Sequence, residues 1–226
     1  VMPDADIAQT VSAVLGSAFG SSGQRCLAGS LAIAEGDAYE PLIERLVPEA
    51  EALRVGDGLD EAVGMGPVIS REAVERVHRY IEGALAEGAR LLLDGRGVRV
   101  AERPRGFYVG PTILTDVRPE MAVACDEVFG PLLAILRAGD LDEALAIIDA
   151  SPYGNAASIF TASGRSAREF RHRVRAGNVG VNIGVPAPIA SFPFSGMKQS
   201  FFGDLHGQGR DAVTFFTERK VVITRW

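Results

Sequence analysis

Lysine is almost missing from this 226-residue sequence. Lys198 and Lys220 are the only two, and the other 21 of its 23 basic side chains are arginine. That bias reads as genome composition rather than chemistry. Cysteine is equally sparse: Cys26 and Cys125 cannot build a disulfide framework, which points to a reducing compartment and an expected cytoplasmic location. The three histidines, His78, His172 and His206, contain no His-x-x-x-His spacing, so no metal site is expected. No uninterrupted apolar run approaches the ~18 residues that span a bilayer, and no basic-then-apolar signal segment opens the chain. A net charge of −6 argues against nucleic acid as the main partner. With 47% hydrophobic and 23% charged residues, wholesale disorder and fibrous folds are excluded. The length suits one large domain or two small ones.

What is present alternates between two periodicities. Asp4 can cap a helix whose Ile7, Val11, Val14, Leu15 and Ala18 share one face. A helix is predicted over 37–53 with Pro48 as a kink or break, and another from Ser70 through Glu87. Asp140 caps a helix to Ala150, and Ser163 opens one to Arg175. Strand-like runs fall at 31–34, 90–93, 108–114, 132–137, 157–161 and 179–182. Strands alternating with helices of this length predict an α/β domain with a largely parallel sheet. Residues 184–209 turn rich in Gly, Pro, Ser and Phe, a surface or pocket loop. Val213 to Trp226 returns to β-branched and aromatic residues and predicts a terminal edge strand, which invites pairing with another chain.

Two strings could carry chemistry. A free cysteine is by default a small buried hydrophobe. Cys26, however, follows a Gly20-Ser21-Ser22-Gly23 loop and stands beside Arg25, a setting that favours a nucleophilic thiolate. Cys125 has Asp126 and Glu127 as neighbours and reads as structural. The second string, Glu127-Val128-Phe129-Gly130-Pro131, is at minimum a tight turn, with Gly130 allowing the bend. It also holds a carboxylate and an aromatic face on a rigid loop, as a ribose diol and a flat heterocycle require. The glycines around position 20 do not match Gly-x-Gly-x-x-Gly, and there is no Walker-type loop.

The strings Phe19-Gly20-Ser21-Ser22-Gly23-Gln24-Arg25-Cys26, Gly110-Pro111-Thr112-Ile113-Leu114, Glu127-Val128-Phe129-Gly130-Pro131 and Pro152-Tyr153-Gly154 together resemble the aldehyde dehydrogenase superfamily. Met2-Pro3-Asp4-Ala5-Asp6, Val179-Gly180-Val181-Asn182 and Phe201-Phe202-Gly203-Asp204-Leu205-His206 make it most similar to the CoA-acylating branch that oxidises malonate and methylmalonate semialdehyde. Met197 and Gln199 depart from that pattern in the substrate-side loop.

The resemblance implies a three-layer α/β catalytic domain over residues 1–214 and an oligomerisation strand over 215–226, with the NAD-binding domain outside this chain. It implies Cys26 as the nucleophile that forms a thioester, with its own N–H as half of an oxyanion hole. Arg25 would bind the substrate carboxylate, Glu127 the nicotinamide ribose, and Phe129 would pack near the nicotinamide, while Asn182 and Phe194 would lie near the pocket wall. NAD is the implied cofactor and coenzyme A the acyl acceptor, giving acetyl-CoA or propionyl-CoA with loss of CO2. A homodimer or homotetramer is the implied assembly. A hydrolytic aldehyde dehydrogenase and a non-catalytic oligomerisation subunit are the alternatives.

Overall fold

The computed structural model describes all 226 residues. The first helix, α1 (Ile7–Ala18), is capped by Asp6, whose carboxylate accepts the Gln9 N–H at 3.0 Å. The expected cap, Asp4, instead accepts the Thr161 hydroxyl at 2.7 Å, a tie of 157 residues that local pattern cannot reveal. Next come β1 (Leu31–Glu35) and α2 (Tyr39–Glu51), which runs through Pro48 without ending there. The helix α3 (Arg71–Ala86) starts at Ser70, whose hydroxyl accepts the Ala73 N–H. It buries Ala73, Val77, Ile81 and Ala84 at helical spacing.

β2 (Arg90–Leu93), β3 (Thr112–Thr115), the short α4 (Ala122–Cys125) and β4 (Leu132–Ala138) follow. They form a four-stranded sheet in the order β1-β4-β3-β2. β4 runs parallel to both β1 and β3, whereas β2 pairs antiparallel with β3. Two of its three pairings are parallel, in line with the mostly parallel expectation, and β2 is the antiparallel exception. β2 and β3 are adjacent both in the chain and in the sheet, and an antiparallel pair needs no helical crossover.

β4 shows why the domain has three layers. Leu133 and Ile135 join Val11, Val14, Phe19, Leu42 and Leu46 on the α1–α2 face. Leu132, Ala134 and Leu136 join Val77, Ile81 and Met121 on the α3 face. Successive side chains of one strand thus enter opposite cores, which is what a near-continuous apolar run in a central strand demands. Each fully buried Leu or Ile contributes about 1.5–3 kcal/mol against exposure.

The remaining elements are α5 (Leu141–Ala150, capped by Asp140), β5 (Tyr153–Gly154), β6 (Ala156–Ile159), α6 (Gly164–Arg173), β7 (Asn178–Val181), β8 (Met197–Lys198) and α7 (Gly209–Phe215). β6 and β7 form a separate parallel pair, and β5 and β8 an antiparallel one. Lys198 is structural. Its ammonium donates to the carbonyls of Ile148, Asp149 and Ser151 at the C-terminal end of α5, where a cation is favoured. No helix is long and apolar enough to cross a membrane.

The start of the tail is helical where a strand was expected. Val213–Phe215 lies in α7, and Thr217–Trp226 enters no ladder within the chain. A strand exists only with a partner for its backbone, and inside this chain no strand edge reaches the tail. Phe216, Val221, Val222, Ile223 and Trp226 are left exposed.

Candidate active site

Cys26 sits in a turn entered through unusual backbone. Ser21, Ser22 and Gly23 all adopt the left-handed region, with φ of 53°, 55° and 68°. Two successive non-glycine residues in that region are costly and persist only when the surroundings hold them. Here Ser22 donates its hydroxyl to the Gly66 carbonyl at 2.8 Å, and Gln24 accepts the Ile69 N–H at 2.9 Å. Gly23 is pressed against the second turn: a Cβ there would meet the Gly130 oxygen at 2.1 Å and the Ala18 oxygen at 2.9 Å. The result is an exposed Cys26 whose backbone N–H donates to no group of the chain. Its carbonyl is tied down by Asn155, whose Nδ2 donates to it at 2.6 Å from the start of β6.

The Glu127–Pro131 turn is equally braced. Arg76 of α3 donates Nε to the Val128 carbonyl at 2.8 Å and Nη2 to the Phe129 carbonyl at 3.3 Å. The left-handed residue is Phe129, with φ 53°, not Gly130 as expected. Glycine is needed at 130 for room, because a Cβ there would meet Val77 Cγ2 at 2.3 Å. Glu127 is exposed, and its carboxylate engages no group of this chain.

A cleft of about 750 Å³ joins these parts. Cys26, Glu127, Asn155 and Phe194 line it, as does Cys125, whose thiol donates to the Pro119 carbonyl at 3.2 Å. Three expected site residues stand elsewhere. Phe129 is half-buried behind the turn and is not on the cleft wall. Asn182 is a clamp: its Nδ2 donates to the Thr161 carbonyl at 3.0 Å and its Oδ1 accepts the Thr161 N–H at 2.9 Å, joining β7 to the end of β6. Arg25 turns back on α1, where its Nη2 donates to the carbonyls of Gly16 and Ser17. A guanidinium satisfies the orphan carbonyls at a helix C-terminus, which is why it faces the helix. Asn155 and Arg76, which fix the two turns, went unread in the sequence, because each acts across a long separation. Only the adjoining Pro152-Tyr153-Gly154 string marked the neighbourhood of Asn155.

Comparison with known proteins identifies the family and the fold. The profile of the aldehyde dehydrogenase family matches residues 1–222. Malonate-semialdehyde dehydrogenase 1 of Oceanobacillus iheyensis is 48% identical over all 226 residues, which cover 46% of that protein. The crystal structure of methylmalonate-semialdehyde dehydrogenase from Oceanimonas doudoroffii superposes with a TM-score of 0.97 at 45% identity, over 100% of this chain and 46% of that one. A protein of Sinorhizobium meliloti 1021 solved with NAD gives 0.97 at 40% identity, with the same two coverages. The chain thus spans about half the length of the curated relatives it matches. On this match the chain belongs to the aldehyde dehydrogenase family.

Proposed function

We propose that this chain supplies the nucleophile-bearing part of an NAD-dependent, CoA-acylating dehydrogenase for malonate or methylmalonate semialdehyde. The observation that supports this most is the exposed Cys26 on a doubly braced loop, sharing one cleft with a free Glu127 carboxylate. The Cys26 thiolate adds to the aldehyde carbon, and the carbonyl electron pair moves onto oxygen. The Cys26 N–H, which donates to no group of the chain, would meet that oxyanion, an arrangement worth about 3–4 kcal/mol per donor in acyl-transfer sites. NAD, when bound, would supply the hydride acceptor, and Glu127 would hold its nicotinamide ribose through the diol. The thioester left on Cys26 is then attacked by the CoA thiol. The Cys26–acyl bond breaks with its electron pair returning to sulfur, and the β-carboxylate leaves as CO2, the electron pair it releases on the α-carbon taking a proton from water. Arg25 has only Nη1 outside its helix contacts for a substrate carboxylate, since its Nε is buried without a partner.

The test is a hybrid in which these 226 residues replace the matching segment of the Oceanobacillus enzyme, assayed for NADH with malonate semialdehyde. Without CoA we expect a burst of one NADH per chain and then arrest, and with CoA continuous turnover to acetyl-CoA. Steady NADH formation without CoA, with free acid as product, would establish the hydrolytic alternative instead.

For the assembly, we propose that the tail pairs with a second copy. An unpaired segment carrying Val221, Ile223 and Trp226 in water is an association surface. Sedimentation at micromolar concentration should show a dimer or larger species, and truncation after Phe215 should release monomers. A clean monomer before truncation refutes this.

A further inference from the structure

Cys26 makes a single hydrogen bond within the chain. Its N–H and its thiol have no partner, and its carbonyl accepts the Asn155 Nδ2–H at 2.6 Å. A residue that offers both thiol and N–H to one reaction must keep them in a fixed orientation. Here the third of its polar groups is held by a side chain 129 residues away. The donor is chemically specific. A carbonyl oxygen only accepts, so an ionised aspartate or an apolar side chain of the same shape could not take the place of Asn155.

Asn155 is itself held from behind. It links β5 to β6, and its own carbonyl accepts two bonds at 3.0 Å from Asn178 of β7, one from the backbone N–H and one from Nδ2. Those two bonds use both lone pairs of the Asn155 oxygen. Asn178 is 6% exposed, and its other Nδ2 hydrogen goes to the Ser195 carbonyl at 2.7 Å. The adjoining backbone leaves no slack, because a Cβ on Gly177 would collide with the Gly196 nitrogen. Ser195 follows Phe194, which lines the cleft. One line of hydrogen bonds therefore runs from the Phe194 loop through Asn178 and Asn155 to Cys26.

Resting on the reading of Cys26 as the acylated nucleophile, we propose that Asn155 is a positioning residue for its acyl chemistry. By holding the Cys26 carbonyl, Asn155 fixes the residue so that thiolate and N–H meet one substrate carbonyl. The thiolate meets its carbon and the N–H its oxygen. The effect is confined to steps in which an oxyanion forms. Addition to the aldehyde and attack of the CoA thiol on the thioester both form one. A displacement at saturated carbon forms none and needs only the thiolate. Asn155 thus separates two reactions of the same sulfur.

The hybrid enzyme and its Asn155→Ala variant are treated in parallel with p-nitrophenyl acetate and with iodoacetamide. Labelling of the Cys26 peptide is followed by mass spectrometry. With the ester, the thiolate adds to the carbonyl carbon and an oxyanion forms. The oxyanion collapses, and p-nitrophenolate leaves with the C–O electron pair, giving acetyl-Cys26. With iodoacetamide, the thiolate displaces iodide directly. Asn155→Ala should slow acetylation by about ten- to a hundredfold, the scale of a misplacement near 1 Å, and leave alkylation within about twofold. Acetylation as fast as in the parent overturns the proposal. An equal fall in both rates also overturns it, because thiolate or fold would then have been lost. A parent that is alkylated but never acetylated overturns the reading of Cys26 as nucleophile and the role of Asn155 with it, so the two failures are distinct. Should Asn155→Ala prove unstable in urea, Asn155→Leu fills the same space without a donor, and the same two rates decide.

Discussion

Cys26→Ala in the hybrid enzyme lowers NADH formation by at least about 10⁴-fold and abolishes the burst, the scale seen when a covalent nucleophile is removed. The same substitution leaves the urea midpoint nearly unchanged. Cys26 is exposed and its thiol has no partner in the chain, so its removal neither empties a core site nor orphans a polar group; the expected change is within about 0.5 kcal/mol. Cys125→Ala is the matched control, because Cys125 is also exposed and lines the same cleft. It should retain turnover. A burst that survives Cys26→Ala and disappears with Cys125→Ala would transfer the chemistry to the other thiol and sink the assignment. The pair of measurements separates loss of chemistry from loss of fold, which a single inactive variant cannot do.

Gly23→Ala destabilises the chain by about 3 kcal/mol or more, with activity falling alongside. Two costs add. The native φ of +68° is left-handed, a region that costs an L-residue roughly 1–2 kcal/mol. The added Cβ also lies 2.1 Å from the Gly130 oxygen and 2.9 Å from the Ala18 oxygen, both backbone atoms that cannot rotate away. Relief requires one turn to retreat, so either Cys26 or Glu127 moves with it. Gly16→Ala tests the logic by its opposite sign. Position 16 is helical, exposed and has nothing within 4 Å of a Cβ, so alanine there should stabilise by up to about 1 kcal/mol. Urea titration of the two variants decides it. If Gly23→Ala is as stable as the parent, the two turns are not in the contact described.

Much of the architecture was legible from short-range patterns. Ser70 and Asp140 begin their helices where the sequence places them, each accepting an N–H three residues on. The strand at β4 lies within a residue of its predicted span, because an apolar run entering two cores has a simple signature. The first helix shows the limit. Asp4 and Asp6 are both good caps two residues apart, and only the hydroxyl of Thr161 draws Asp4 away. The tail shows another, since β-branched residues from Val213 onward predict a strand that no edge within this chain can pair.

The site divides along the same line. That Cys26 follows a Gly/Ser loop and that Glu127 opens a turn ending in Gly130-Pro131 is written in consecutive residues, so both turns and their reactive groups could be read directly. That the turns touch was not readable, because the contact depends on Gly23 meeting Gly130 across the fold. Nor could the sequence place Asn155 on the Cys26 carbonyl, 129 residues away, or Arg76 on the Phe129 carbonyl, 53 residues away. Arg25 stands next to the nucleophile in sequence yet bonds to α1, because its planar fork finds unsatisfied helix carbonyls within reach. Capping, turn and alternation signals act through contacts a few residues apart, which chain connectivity alone brings together. Which backbone polar groups meet is settled only when the layers pack and each buried N–H and C=O must find its partner.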